Sequence, residues 1–135
     1  MKTLIVTLIL SALSAANYEA EAKEFYKNVE IGATGKTITT SIYQGEKEMN
    51  LIPYSKQTLK LDENGNAQEK VIYVWNSEKH EWIETFKYQY YYNLSGDIDY
   101  LTYTNWNKSL NMWETDIQYT MYIYSMEGDL LTVNQ

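Results

Sequence analysis

One histidine and its acidic neighbours are the residues best suited to acid–base chemistry in this chain. His80, the single histidine, lies in a polar segment between Glu78 and Glu81. A histidine that acts as a general base needs a nucleophile or a carboxylate within hydrogen-bond distance. A similar segment later in the chain has Asn111 in the place of His80, and an amide cannot act as that base. We therefore interpret His80 as a solvated loop residue and expect the chain not to be an enzyme.

Several carboxylates near the same segments raise the alternative of glycoside hydrolysis. They are Glu81, Glu84, Glu114 and Asp116. That chemistry needs two carboxyl groups that face each other across a cleft, about 5 to 9 Å apart. A sheet with one apolar and one polar face predicts no such cleft. We interpret these acids as solvated charges, and a hydrolase is the least favoured function.

The acidic segment 62–66, Asp-Glu-Asn-Gly-Asn, has the composition of a calcium loop but not its spacing. An EF-hand loop needs glycine at its sixth position and glutamate at its twelfth. Here Gly65 is fourth and Ala67 is sixth. A tight turn at Asn64 and Gly65 explains the same residues, because both tolerate a positive φ. No metal site and no cofactor is predicted.

Paired tryptophans are the most distinctive feature of the sequence. Trp75 and Trp82 recur later in the chain, with the same separation, as Trp106 and Trp113. Aromatic rings on a β-surface can stack on sugar rings, and Tyr91, Tyr122 and Tyr124 would extend such a platform along the polar face. A cross-strand aromatic pair can equally hold a hairpin together, which contributes about 0.5–1.5 kcal/mol beyond its buried area. The second alternative is favoured, and these seven aromatic residues remain the candidate binding residues.

A repeat with a period of about 31 residues organises the chain. This period lies within the range of known repeat architectures. Gly35, Gly65, Gly96 and Gly128 follow one another at nearly equal intervals, each beside polar turn residues. Between them lie segments rich in Tyr, Val, Ile and Thr, which favour strands. The predicted fold is all-β, an antiparallel meander of tandem hairpins with about seven or eight strands.

The alternation of side chains predicts which face of each strand is buried. From Trp82 onward the apolar set is completed by Phe86, Tyr88, Tyr90 and Tyr92. In the next repeat the predicted apolar set consists of Trp113, Ile117, Tyr119, Met121 and Ile123. A sheet with one apolar face needs a cover, which a curled sheet, a second sheet or a partner would supply.

The first residues are typical of an export signal. Lys2 precedes an apolar run and then small residues, which predicts a signal peptide over 1–16, with an alternative cleavage site after residue 22. Residues 17–34 are expected to be a flexible lead-in or first strand, and residues 35–135 a single hairpin-repeat domain. The chain has no cysteine, so its core cannot contain disulfides.

Charge and hydropathy argue against several partners. The net charge is −7, and all eleven basic residues are lysines. Nucleic-acid binding requires a basic surface, usually with arginine, so we predict no nucleic-acid partner. The apolar run near the N-terminus is too short to span a bilayer, which needs about 20 residues, and no second run follows. The oligomeric state stays open.

The chain resembles the domain of unknown function 3836 family, small exported proteins of Bacteroides-type bacteria. The resemblance rests on the signal-like N-terminus, residues 35–40 (Gly-Lys-Thr-Ile-Thr-Thr), residues 62–66 and the paired tryptophans. It implies export, a β-rich fold and no assigned activity.

These observations together predict a periplasmic or extracellular protein that recognises a surface. Its partner would be a glycan or a cell-envelope protein, bound through the aromatic-rich strands. The alternative is a structural unit that assembles with copies of itself through a sheet edge or an apolar face.

Overall fold

A computed structural model describes residues 2–4, 10–11, 23–46 and 49–134, and these residues form strands and turns without a helix. Eight of the strands have five residues or more, which confirms the predicted all-β class and strand number. The strands are β1 (Lys2–Leu4), β2 (Leu10–Ser11), β3 (Glu24–Ile31), β4 (Thr37–Glu46), β5 (Met49–Leu61), β6 (Ala67–Asn76), β7 (Glu81–Tyr92), β8 (Ile98–Asn107), β9 (Met112–Trp113), β10 (Gln118–Tyr124) and β11 (Leu130–Asn134).

The strands are hydrogen-bonded in chain order, so the predicted meander is confirmed. The order is β1-β3-β4-β5-β6-β7-β8-β10-β11, with β2 beside β3 and β9 beside β8. The chain divides into two compact units, Met1–Thr58 with Tyr73–Ile83 and Leu59–Ile72 with Glu84–Gln135. Each unit has buried side chains of its own.

One set of turns uses glycine at a fixed place in each repeat. In the turn after β7, the amide of Gly96 donates to the carbonyl of Asn93 (3.0 Å), and the amide of Asn93 donates to that of Asp97 (2.9 Å). The side-chain oxygen of Asn93 accepts from the amides of Ser95 and Asp97. Gly96 has a φ of 86°, and the glycines of the other three repeats also have positive φ. Glycine is favoured there because other residues are strained in this conformation.

The opposite turns also need a left-handed residue, and this explains His80. His80 has a φ of 54°, and Asn111, its counterpart in the next repeat, has a φ of 52°. Asn50, in the preceding repeat, has a φ of 53°. Asparagine and histidine adopt this conformation more readily than most residues. The position therefore constrains the backbone, as expected if His80 is a loop residue.

The first unit is built on an eight-residue antiparallel pairing between β3 and β4, from Glu24 opposite Gly45 to Ile31 opposite Ile38. Tyr26 and Ser41 are its buried side chains among those described, at 6% and 7% exposed. Strand β3 begins within the segment expected to be a lead-in. The predicted signal peptide falls largely outside the described residues. Those described there form β1 and β2, which pair with β3.

The second unit is a group of strands whose register is fixed on both sides of β8. Strand β8 pairs with β7 on one side and with β10 on the other, so Tyr103 lies opposite both Tyr88 and Gln118. One residue along, Thr102 lies opposite both Gln89 and Tyr119. Directly opposed residues share a face, and alternate residues point to opposite faces. The regular pairings, Phe86 to Tyr91 in β7 and Gln118 to Met121 in β10, therefore assign these side chains and their partners in β8 to one of two faces.

The burial predicted for one face of the second unit is wrong. Ile117, Tyr119, Met121 and Ile123 were expected to be buried, yet they are 44%, 57%, 53% and 38% exposed. Of the alternating residues of β10, Thr120, Tyr122 and Tyr124 are half-buried and Gln118 is exposed. Alternation fixes which side chains share a face, but burial depends on what lies over that face.

Candidate functional site

The paired tryptophans lie across their hairpins, as the repeat predicts, but they are not coplanar. The ring centroids of Trp75 and Trp82 are 5.2 Å apart with planes at 69°. Those of Trp106 and Trp113 are 5.0 Å apart with planes at 80°, and these two residues are directly opposed between β8 and β9. Edge-to-face pairs of this kind stabilise a hairpin. They do not form the flat platform that stacking on an extended sugar chain would need.

Lysine ammonium groups lie over two of the four tryptophan rings. The Nζ of Lys87 is 4.5 Å from the ring centroid of Trp113. The Nζ of Lys56 is 5.9 Å from that of Trp82 and 4.9 Å from that of Tyr73. Cation–π contacts of this type are favourable, so a ligand has to compete with the lysine for that ring face.

The three candidate tyrosines are not brought together. Tyr91 lies opposite Tyr100, which in turn lies opposite Met121. Tyr122 and Tyr124 alternate with Met121 and therefore point to the other face. Tyr91 shares its face with Trp106 and Trp113 and stacks on Tyr100, with centroids 4.4 Å apart and planes at 12°. The platform predicted from these residues is thus divided between two faces of the unit.

A groove on the face that carries Tyr122 has a different set of residues. Its volume is about 590 Å³, which lies within the range of about 300–1,000 Å³ for small-molecule sites. We call it the tyrosine groove, and its lining residues are Tyr88, Leu101, Tyr103, Gln118, Tyr119 and Thr120. Tyr88, Tyr103 and Gln118 are consecutive across three neighbouring strands, so hydrogen bonds of the sheet hold them side by side.

The aromatic wall of the tyrosine groove is a packed cluster. The ring of Tyr103 lies 5.3 Å from that of Tyr88 and 5.4 Å from that of Phe86, measured between centroids. Phe86 and Tyr88 are in edge contact at 5.8 Å. The Nζ of Lys70 lies 5.0 Å from the Tyr88 ring centroid. These contacts restrict the rings before any ligand arrives, which reduces the entropy lost on binding.

The chemistry of the tyrosine groove is polar but uncharged. Its lining side chains offer phenol hydroxyls, a threonine hydroxyl and the Gln118 amide, which both donate and accept hydrogen bonds. Among the lining residues that the structure describes, none carries a formal charge. A groove of this composition suits a neutral ligand that has hydroxyl groups and an apolar face.

Sequence reasoning missed the members of the tyrosine groove. The predicted alternation puts Tyr88 on a buried apolar face. It puts Gln118 and Thr120 on a polar face, so it does not predict that these residues and Tyr88 line one groove. Alternation predicts which residues of one strand share a face. It does not predict the register between β8 and β10, which places Gln118 beside Tyr103. A signal was present in the run of β7, which carries an aromatic residue at every second position from Phe86 to Tyr92.

Among the described residues, three tyrosines of the second unit have a pKa that folding raises: Tyr90, Tyr92 and Tyr124. Burial, together with Tyr122, raises the pKa of Tyr90 above 10.0. Burial, Asp62 and Tyr90 raise the pKa of Tyr92, whose hydroxyl donates to the carbonyl of Ala67 at 2.6 Å. Desolvation, Asp97, Tyr122 and Asp99 raise the pKa of Tyr124. In each case the folded chain favours the neutral phenol.

These shifts predict a loss of stability in base. A phenol whose pKa is raised by folding contributes stability that is fully present below its unfolded pKa, about 10. That contribution is lost as the pH rises through the folded pKa. Tyr90→Phe should therefore make the fall in unfolding free energy above about pH 10 shallower, as measured by urea unfolding at a series of pH values. Identical pH dependence in the variant and the original chain would contradict this assignment.

The structure places His80 in an exposed turn and two of the candidate acids at a cavity. No group of three His, Asp or Glu side chains in the described ranges is arranged to hold a metal ion. Glu114 and Asp116 do line a second cavity, together with Trp113.

The comparisons with known proteins identify relatives without an assigned activity. The model of a family of unknown function, DUF3836, matches residues 1–129. No curated protein matches the chain. In the described part of the chain, no helix is long and apolar enough to cross a membrane.

Solved structures share the fold. A DUF3836 family protein from Parabacteroides distasonis is 23% identical, with a TM-score of 0.58 over 72% of this chain and 87% of its own. Another from Bacteroides vulgatus is 24% identical, with a TM-score of 0.55 over 70% and 96%. A protein of unknown function from Bacteroides fragilis is 14% identical, with a TM-score of 0.58 over 84% and 91%.

Proposed function

The chain belongs to DUF3836, a family of unknown function, and we propose that it is an exported, non-enzymatic domain that binds a neutral glycan in the tyrosine groove. The observation that carries the proposal is the row formed by Tyr88, Tyr103 and Gln118, one from each of three neighbouring strands. It combines aromatic surface with groups that donate and accept hydrogen bonds. Sugar rings present the matching features, apolar C–H faces and hydroxyl edges.

The groove favours binding over reaction. Glycoside hydrolysis needs a pair of carboxyl groups, and the lining of the tyrosine groove contains none. Its groups are suited to hold a ligand by contact and hydrogen bonding. Affinity would come chiefly from the aromatic rings and orientation from the polar groups.

Export rests on the N-terminal sequence. Lys2, the apolar run and the small residues up to Ala16 are the parts of a secretory signal. Mass spectrometry of the protein recovered from periplasm or medium should find a chain that begins near Asn17. An intact Met1 in that fraction would contradict the proposal.

A cell-envelope protein is the second candidate partner, because the opposite face of the unit exposes apolar side chains. Met121 and Ile123 are 53% and 38% exposed at alternate positions of β10, and neither lines the tyrosine groove. Exposed apolar side chains in a contiguous row are typical of protein contacts. Substitutions of Met121 and Ile123 would weaken the binding of such a protein partner and leave glycan binding unchanged.

The test is a titration of the full exported chain with soluble neutral polysaccharides, in which calorimetry measures the affinity. The combined variant Tyr103→Phe with Gln118→Ala should bind at least about tenfold more weakly, or about 1.4 kcal/mol, because it removes one hydroxyl and one amide from the groove. The control is Gln89→Ala, since Gln89 is on the other face of β7 and should leave affinity unchanged. Absence of binding to every neutral glycan, or equal loss in both variants, would contradict the proposed site.

A further inference from the structure

A second cavity lies where the chain leaves the β8–β9 hairpin. Its volume is about 350 Å³, close to the lower limit for small-molecule sites and enough for one sugar ring. The lining residues are Asn107, Leu110, Met112, Trp113, Glu114, Thr115 and Asp116. It shares no lining residue with the tyrosine groove, so it is a separate site.

The backbone around this cavity is held by specific hydrogen bonds. The amide of Glu114 donates to the carbonyl of Asn105 at 2.9 Å, which extends the pairing of β8 beyond β9. The side-chain oxygen of Asn107 accepts from the amide of Leu110 at 3.0 Å. Trp113 is directly opposite Trp106 in the same hairpin. The walls of the cavity are therefore positioned by the hairpin itself.

The apolar wall of the cavity is unusually exposed. Leu110 is 67% exposed and Met112 is 48% exposed, and Trp113 is a third apolar residue in the lining. Water at such a wall is displaced favourably by a ligand with C–H surface.

The polar wall carries negative charge. Among the described residues that line it, Glu114 and Asp116 carry a formal charge, and both are acidic. An ionised carboxylate only accepts hydrogen bonds, so the matching ligand groups are donors. A positively charged donor gains most, whereas a uronic acid or a sulfated sugar would be repelled.

We infer that this cavity binds an amino sugar whose amino group is free and protonated. The exposed side chains of Leu110 and Met112 take the C–H face of the ring, and the carboxylates of Glu114 and Asp116 take the ammonium group. Trp113 is the lining residue whose indole signal reports binding. The inference does not depend on the tyrosine groove, and either site can be absent while the other is present.

The experiment compares two oligosaccharides that differ only in whether their amino groups are free or N-acetylated. The full exported chain, labelled with ¹⁵N, is titrated with a glucosamine tetramer and with its N-acetylated counterpart, and the indole N–H signal of Trp113 is followed. The free amine form should bind at least about tenfold more tightly, and the signal of Trp113 should move with saturation. Equal affinity for the two forms, or no movement of that signal, would overturn the inference.

Substitution of the carboxylates provides the matched control. Glu114→Gln with Asp116→Asn should remove the preference for the free amine, and Asp116→Asn alone should reduce it. Glu127 and Asp129 are an exposed acidic pair of equal spacing in another turn. The double variant Glu127→Gln with Asp129→Asn should leave the preference for the free amine unchanged. Circular dichroism confirms that each variant is folded. A preference that survives the first double variant would refute the role of the carboxylates. Binding of Nα-acetyl-lysine amide as tightly as the amino sugar would refute the role of the sugar ring.

Discussion

Replacing Trp113 with alanine is expected to lower the free energy of unfolding by about 3 kcal/mol, the lower end of the range for tryptophan truncations, since the side chain is half-buried. The variant loses the edge-to-face contact with Trp106 and the contact with the Lys87 ammonium group. The ring pair contributes about 0.5–1.5 kcal/mol beyond its area, and the cation about 0.5–1 kcal/mol. Urea unfolding followed by far-ultraviolet circular dichroism measures the change.

Two further variants separate these contributions. Trp113→Phe keeps an aromatic ring and should lose about 1 kcal/mol. A double-mutant cycle with Trp106→Ala isolates the coupling between the two rings, expected at about 1 kcal/mol. An unfolding free energy for Trp113→Ala within about 0.5 kcal/mol of the original chain would show that the pair does not stabilise the hairpin.

Gly96→Ala is expected to cost about 1–2 kcal/mol, although an added Cβ would meet no atom within 4 Å. The cost is conformational, because Gly96 has a φ of 86° and alanine is strained there. The same urea experiment measures it. The turn after β7 also joins two strands that form the tyrosine groove, so the variant tests whether the repeat's glycine sets the local stability of that region.

The control for this prediction is the neighbouring residue. Ser95→Ala changes an exposed side chain in the same turn and should alter the unfolding free energy by less than about 0.5 kcal/mol. Gly96→Asn should cost less than Gly96→Ala, because asparagine tolerates a left-handed backbone. Equal stability of the Gly96→Ala and Ser95→Ala variants would mean that the positive φ imposes no strain.

Local features of the fold follow closely from the sequence. The regular spacing of the repeat predicted the hairpins, the glycine turns and the cross-strand position of Trp106 and Trp113. The equivalence of His80 and Asn111 also has a physical basis, since both residues have a left-handed backbone. These features depend on neighbouring residues and on the period of the repeat, which one sequence contains in full.

Burial and the candidate site depended on information that a single strand does not carry. Tyr119 alternates with polar residues as a buried residue would, yet it is 57% exposed, because alternation says nothing of what covers a face. The tyrosine groove needs the register that sets Gln118 beside Tyr103. Tyr91 and Tyr122 were grouped by residue type, but their strand positions place them on opposite faces.

Binding of a neutral glycan in the tyrosine groove is the central claim, and chemical-shift mapping tests it most directly. A ¹⁵N-labelled chain saturated with a neutral polysaccharide that binds in the titration should show its largest amide shifts at the groove. The residues concerned are Tyr88, Leu101, Tyr103, Gln118, Tyr119 and Thr120. Shifts that centre on the tryptophan pairs or on Met121 and Ile123, or no shifts with any neutral glycan, would contradict the claim.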